Sequence, residues 1–102
     1  MIYFDYMKES DFQAKVIRWL RSQKCVVMKY QQNATTHAEL VDLFFVKDGF
    51  WGAAELKKSK TAKFRPGQKE MIKKLDAMSW CKAIYPENFN EVKKELEDLL
   101  RD

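Results

Sequence analysis

The chain has only two cysteines, two prolines, three glycines and one histidine in 102 residues. Each scarcity closes off a class of function. Cys25 and Cys81 lie in apolar segments, and two such thiols read as reduced, packed side chains of a cytoplasmic protein rather than a disulfide framework. One histidine and no C-x-x-C spacing argue against a zinc site. The three glycines form no Gly-rich phosphate loop, and no internal repeat, linker or second domain interrupts residues 1–102. No apolar run approaches the roughly 18–20 residues of a membrane span. Met1-Ile2-Tyr3-Phe4-Asp5 lacks a basic region followed by a long apolar stretch, so no signal peptide is expected.

What remains is the composition of a single globular domain. Hydrophobic residues make up 46% of the chain, enough for one self-sufficient core. The net charge is +4. A modest positive excess favours an acidic partner where it is clustered, and Lys57, Lys58, Lys60, Lys63, Arg65 and Lys69 do cluster within 13 residues. Ser59 and Thr61 add hydroxyl donors among them, which suits phosphate binding. The plainer alternative is a solvated charge run. Nothing in the segment encodes base-edge reading, so DNA shape rather than sequence would be recognised.

The periodicities predict α-β-β-β-α-β-α. Phe12, Val16, Trp19, Leu20 and Gln23 fall on one stripe of a helix over about 8–23. Ser10 and Gln13 fit a capping box that would leave Glu9 outside the helix. An earlier start puts Glu9 on the stripe of Gln13, Val16 and Leu20. Residues 25–30 read as a strand, and the polar segment 31–39 as a loop carrying His37, a solvated side chain or a phosphate contact. Pro66 marks a helix start, with Gln68, Met71, Ile72, Leu75 and Met78 as its buried stripe. Residues 80–85 form a last strand, and the strand–helix–strand connection predicts a parallel pair. Asn88 with Glu91 opens a final helix with Phe89, Val92, Leu96, Leu99 and Leu100 inward. The aromatic start, Ile2, Tyr3, Phe4, Tyr6 and Met7, packs on the core or forms a subunit contact.

The centre of the sequence is 41–60. Leu43-Phe44-Phe45-Val46 and Phe50-Trp51-Gly52-Ala53-Ala54 flank Asp48-Gly49, a hairpin signature because a type I′ turn needs positive φ. Pairing Lys47 with Phe50 brings Asp42 opposite Glu55, with Lys57 on the same face. A bulge at Gly49 would shift this register by one. Facing carboxylates repel, and a divalent cation removes that cost; a nearby lysine stabilises negative charge or orients a water. The alternative for Asp42, Glu55 and Lys57 is a strand-end ion cluster.

Asp42 followed by Glu55-Leu56-Lys57 resembles the motif of the PD-(D/E)XK nuclease superfamily, with Val41 where proline is usual. Residues 9–85 resemble the small VRR-NUC-type nucleases and archaeal-type Holliday-junction resolvases. Lys8-Glu9-Ser10-Asp11-Phe12-Gln13 is similar to their first-helix motif, and Pro66-Gly67-Gln68 to the helix entry after their E-x-K strand. The resemblance implies an α/β, restriction-endonuclease-like core with a mixed four-stranded sheet flanked by helices. It implies a Mg²⁺-dependent endodeoxyribonuclease, with Mn²⁺ substituting, acting on branched or flapped DNA. The metal ligands would be Asp42, Glu55 and the Leu56 carbonyl. Lys57 would orient the water and offset charge, with Glu9 and Gln68 accessory. Lys58, Lys60, Lys63, Arg65 and Lys69 would bind DNA. A homodimer with two sites for two strands, and an origin in a phage or mobile element, complete the expectation.

Overall fold

The structure is a computed structural model that describes residues 9–30 and 40–101; the side chain of Glu9 lies outside the description. The aromatic start and the 31–39 segment with His37, both singled out in the sequence, also lie outside it.

The Asp48-Gly49 turn sets the register of the sheet. Asp48 has φ 48° and Gly49 φ 85°, the two positive values a type I′ turn requires. Strands β2 (Leu43–Lys47) and β3 (Phe50–Leu56) therefore pair Lys47 with Phe50 and Leu43 with Ala54, with no bulge at the turn. Strand β1 (Val26–Lys29) joins β2 antiparallel, and β4 (Trp80–Ile84) joins β3 in parallel. The order β1-β2-β3-β4 makes a mixed four-stranded sheet. Helices α1 (Glu9–Ser22), α2 (Gln68–Met78) and α3 (Phe89–Leu99) complete the predicted α-β-β-β-α-β-α order.

The two faces of the hairpin are covered differently. Leu43, Phe45, Ala54 and Leu56 meet Phe12, Val16 and Leu20 of α1 and Phe89, Val92 and Leu96 of α3 in the main core. Fully burying one such side chain contributes about 1.5–3 kcal/mol. On the other face Ala53, Cys81 and Val41 pack with Phe44, Trp51, Ile72 and Leu75 under α2. That second layer is partial. Met28 and Val46 remain 50% and 36% exposed beyond the reach of α2, where the resemblance implies a sheet flanked by helices. Met78 is 73% exposed and Leu99 46%, so these two positions fall outside the buried stripes that the periodicity predicts, while Leu100 is buried as predicted. Both cysteines are buried free thiols. No helix among the described residues is long and apolar enough to cross a membrane.

Three caps differ from expectation. Ser10 lies inside α1 and forms no N-cap, which places Glu9 in the helix. Pro66 precedes α2 rather than opening it: the Gln68 N–H donates to Arg65 O at 3.0 Å, closing a turn around Pro66-Gly67. Gly67, at φ 78° and ψ −8°, takes the position of a type II turn that needs positive φ. Asn88 is the N-cap residue of α3, but its side chain turns back to β4, where Oδ1 accepts from Tyr85 N and Nδ2 donates to Ala83 O.

Candidate metal and phosphate site

The ladder between β2 and β3 ends at Leu43 and Ala54, so Asp42 is not squarely opposite Glu55. The Asp42 N–H donates to Ala54 O at 3.1 Å, and its carbonyl accepts from Tyr30 N at 2.7 Å. Two residues of one strand thus address Ala54, a bulge-like end that re-aims the side chain. The Asp42 carboxylate accepts the Leu56 N–H on Oδ2 at 2.8 Å. This charge-assisted bond ties the first acid to the E-L-K strand itself.

Glu55 is 1% exposed. Its Oε2 lies 3.3 Å from Lys57 Nζ and 3.6 Å from Arg65 Nη2. Its Oε1 is buried with no hydrogen-bond partner. Burial is the main reason its carboxyl is pushed up to about 7; the Asp42 charge raises it further, against the opposing pull of Lys57 and Arg65. An orphaned, buried carboxylate oxygen costs a few kcal/mol unless something meets it.

Lys57 is 8% exposed and fully engaged. Its three N–H donors face Lys63 O at 2.9 Å, Gln68 Oε1 at 3.2 Å and Glu55 Oε2 at 3.3 Å. The Phe64 ring centroid is 4.8 Å from the ammonium. Gln68, at 0% exposure, also spends its amide inside the protein. Its Oε1 accepts from Arg65 N at 3.2 Å and its Nε2 donates to Leu40 O at 3.3 Å. Gln68 thus positions Lys57 and the strand entering Asp42, instead of facing a water or a phosphate as its motif position suggests.

The basic residues divide into two groups. Lys58, Lys60, Lys63 and Lys69 are exposed. Lys60, Lys63, Arg65 and Lys69 line an open cleft of about 650 Å³ at the start of α2. Arg65 belongs to both cleft and acid site: Nη2 donates to Leu40 O at 3.2 Å besides reaching Glu55. The sequence reading missed this double position, together with Leu40 and Phe64. The Pro66-Gly67 pair carried a signal, since a tight turn there folds Arg65 back on the strand it follows.

The structure brings together Asp42, Glu55, Lys57, Gln68 and Arg65. Among the described residues no group of three or more His, Cys, Asp or Glu side chains is arranged to hold a metal. The donor set is two acids and whatever the Leu56 carbonyl, water and substrate add. That suits Mg²⁺, which uses one or two carboxylates and fills its remaining positions with water and phosphate oxygens. The orphaned Glu55 Oε1 is the observation that fits a cation here. Protein-family models, characterised proteins and solved structures all return no match to this chain.

Proposed function

We propose that this protein is a divalent-metal-dependent endodeoxyribonuclease with a restriction-endonuclease-like core, acting on branched or flapped DNA. The single observation that carries the reading is the buried Glu55 with an unpartnered oxygen, beside Asp42 and Lys57 at the edge of a cationic cleft. A structural ion cluster has no need to leave a buried carboxylate oxygen unmet.

Asp42, Glu55 and the Leu56 carbonyl would hold Mg²⁺ or Mn²⁺. The ion, when bound, supplies Lewis-acid polarisation of the phosphate and a more acidic water. The chain's own residues do the rest. The Asp42 bond to Leu56 N–H fixes the first acid against the second strand. Gln68 and Lys63 O hold the Lys57 ammonium beside Glu55, so that its positive charge lies next to the reacting phosphate without solvent screening. The exposed lysines at 58, 60, 63 and 69 track the DNA backbone. Hydrolysis forms a bond from water oxygen to phosphorus and breaks the P–O3′ bond. The 3′ oxygen takes up a proton, and the phosphate stays on the 5′ side. Glu9 is an accessory acid in this proposal, and a homodimer supplies one site to each of two strands.

A non-catalytic DNA-binding module is the second reading. It is favoured by the closed network around Lys57, whose donors are all satisfied within the protein. Incubating labelled four-way-junction, flap, single-stranded and duplex DNA with Mg²⁺ or EDTA separates the two. Paired, symmetric junction cuts that vanish with EDTA support the full proposal. Cutting of flaps or single strands alone keeps the nuclease and discards the junction preference. Salt-sensitive binding with no cutting in either metal supports the binding module.

A further inference from the structure

One aromatic side chain interrupts the basic segment 57–69, and the fold gives it no place in the core. Phe64 is the single aromatic residue between Lys57 and Lys69. Among the described residues it joins neither hydrophobic layer of the sheet. Its half-buried ring lines the cleft of about 650 Å³ together with the exposed Lys60, Lys63 and Lys69. Two ammonium groups attend the ring, that of buried Lys57 at 4.8 Å from the centroid and that of exposed Lys69 at 5.3 Å. Lysines alone suffice to hold phosphates, and a phenyl ring adds nothing to that. What a cleft gains from an aromatic wall among cations is a face for a nucleobase. Duplex bases are already stacked on one another, so only an unpaired base can present its face to the ring.

Resting on the DNA-directed reading of the neighbouring acid site, we propose that Phe64 is a base-stacking platform and that the cleft takes an unpaired segment of DNA. The buried Lys57 ammonium anchors the ring, and the base stacks where the cleft leaves the ring open. Lys69 yields the ring to the base and moves to that nucleotide's phosphate, with Lys60 and Lys63 on the neighbouring phosphates. The preferred substrate is then a flap or single-stranded branch, since a fully paired junction offers no such base. Recognition is tolerant of sequence, because every base has a π-face.

The test compares two labelled single strands of equal length, oligothymidylate and the same backbone with abasic sugars, with Ca²⁺ in place of Mg²⁺ and at one salt concentration. Both carry the same phosphates and differ only in their bases. Wild type is expected to bind oligothymidylate about 10-fold more tightly than the abasic strand. Phe64→Leu keeps an apolar side chain beside Lys57 but removes the π-face, and it is expected to bind the two strands equally. Its salt slope should match wild type, because no charge is lost. Circular dichroism and the thermal midpoint report its fold. If Phe64→Leu does not fold, photocrosslinking of wild type to an oligonucleotide carrying 5-iodouracil decides: the crosslinked peptide should carry Phe64, and crosslinks confined to other residues overturn the assignment. Equal affinity of wild type for the two strands overturns it, as does undiminished discrimination by folded Phe64→Leu. A wild-type protein that binds no DNA removes the functional reading, and this inference with it. Wild-type binding to duplex and abasic strands with no gain from unpaired bases removes this inference alone.

Discussion

Glu55 is a buried acid whose charge the fold disfavours. Its folded carboxyl is pushed up to about 7 by burial and by Asp42, whereas an unfolded chain releases that proton near 4.5. Between those values the folded state binds more protons than the unfolded one, so stability falls as pH rises through this window and levels off above 7. Glu55→Gln removes the ionisation. Its thermal midpoint should equal wild type near pH 4.5 and exceed it near pH 8 in metal-free buffer; a wild type that gains on the variant with rising pH would refute the sign. Asp42→Asn keeps an acceptor for the Leu56 N–H but loses the charge, so the fold should persist and the Glu55 carboxyl should move down toward its usual range, as read by NMR titration. That Asp42, Glu55 and Lys57 lie together was legible in the D…E-x-K spacing. The roles of Gln68 and Arg65 were not, because they depend on the carbonyl of Leu40 and on a turn geometry that spacing leaves undetermined.

The hairpin shows how different two glycines in one element can be. Gly49 has positive φ and open space around it, so Gly49→Ala should cost only the left-handed backbone penalty, about 1–2 kcal/mol. Gly52 lies opposite Phe45, and a Cβ there would overlap the Phe45 ring. Gly52→Ala should therefore cost about 1–3 kcal/mol through overpacking. Denaturant midpoints check both, and shortening Phe45 to Leu should relieve only the second. At this scale the sequence was most readable, because the Asp-Gly turn alone determines which residues face each other. The bulge-like end at Asp42 escaped it, since nothing in Leu40-Val41-Asp42 marks where a regular ladder gives way. Single stripe positions also escaped it: Met78 and Leu99 are apolar at helical spacing yet stay exposed, while Leu100 beside Leu99 is buried.

For the molecule as a whole, the acids, Lys57 and the basic cleft gather around one end of β3 and the start of α2, while the hydrophobic layers hold them from behind. Element order and the mixed sheet followed from alternating periodicities, a property of the entire chain. The half-bare sheet face around Met28 and Val46 did not, because exposure depends on how far α2 extends sideways. DNA binding through the exposed lysines should weaken steeply with salt and be similar across sequences, and Lys60→Gln with Lys63→Gln should lower the salt slope by about 0.9 per residue removed. The central claim is that Asp42 and Glu55 form a cation site. Its most direct test is calorimetric titration of Mn²⁺ into the wild-type protein and Glu55→Gln at pH 8. Binding heat in wild type that disappears in the folded variant is the predicted result. Equal heats in the two proteins, or none in wild type, would contradict it.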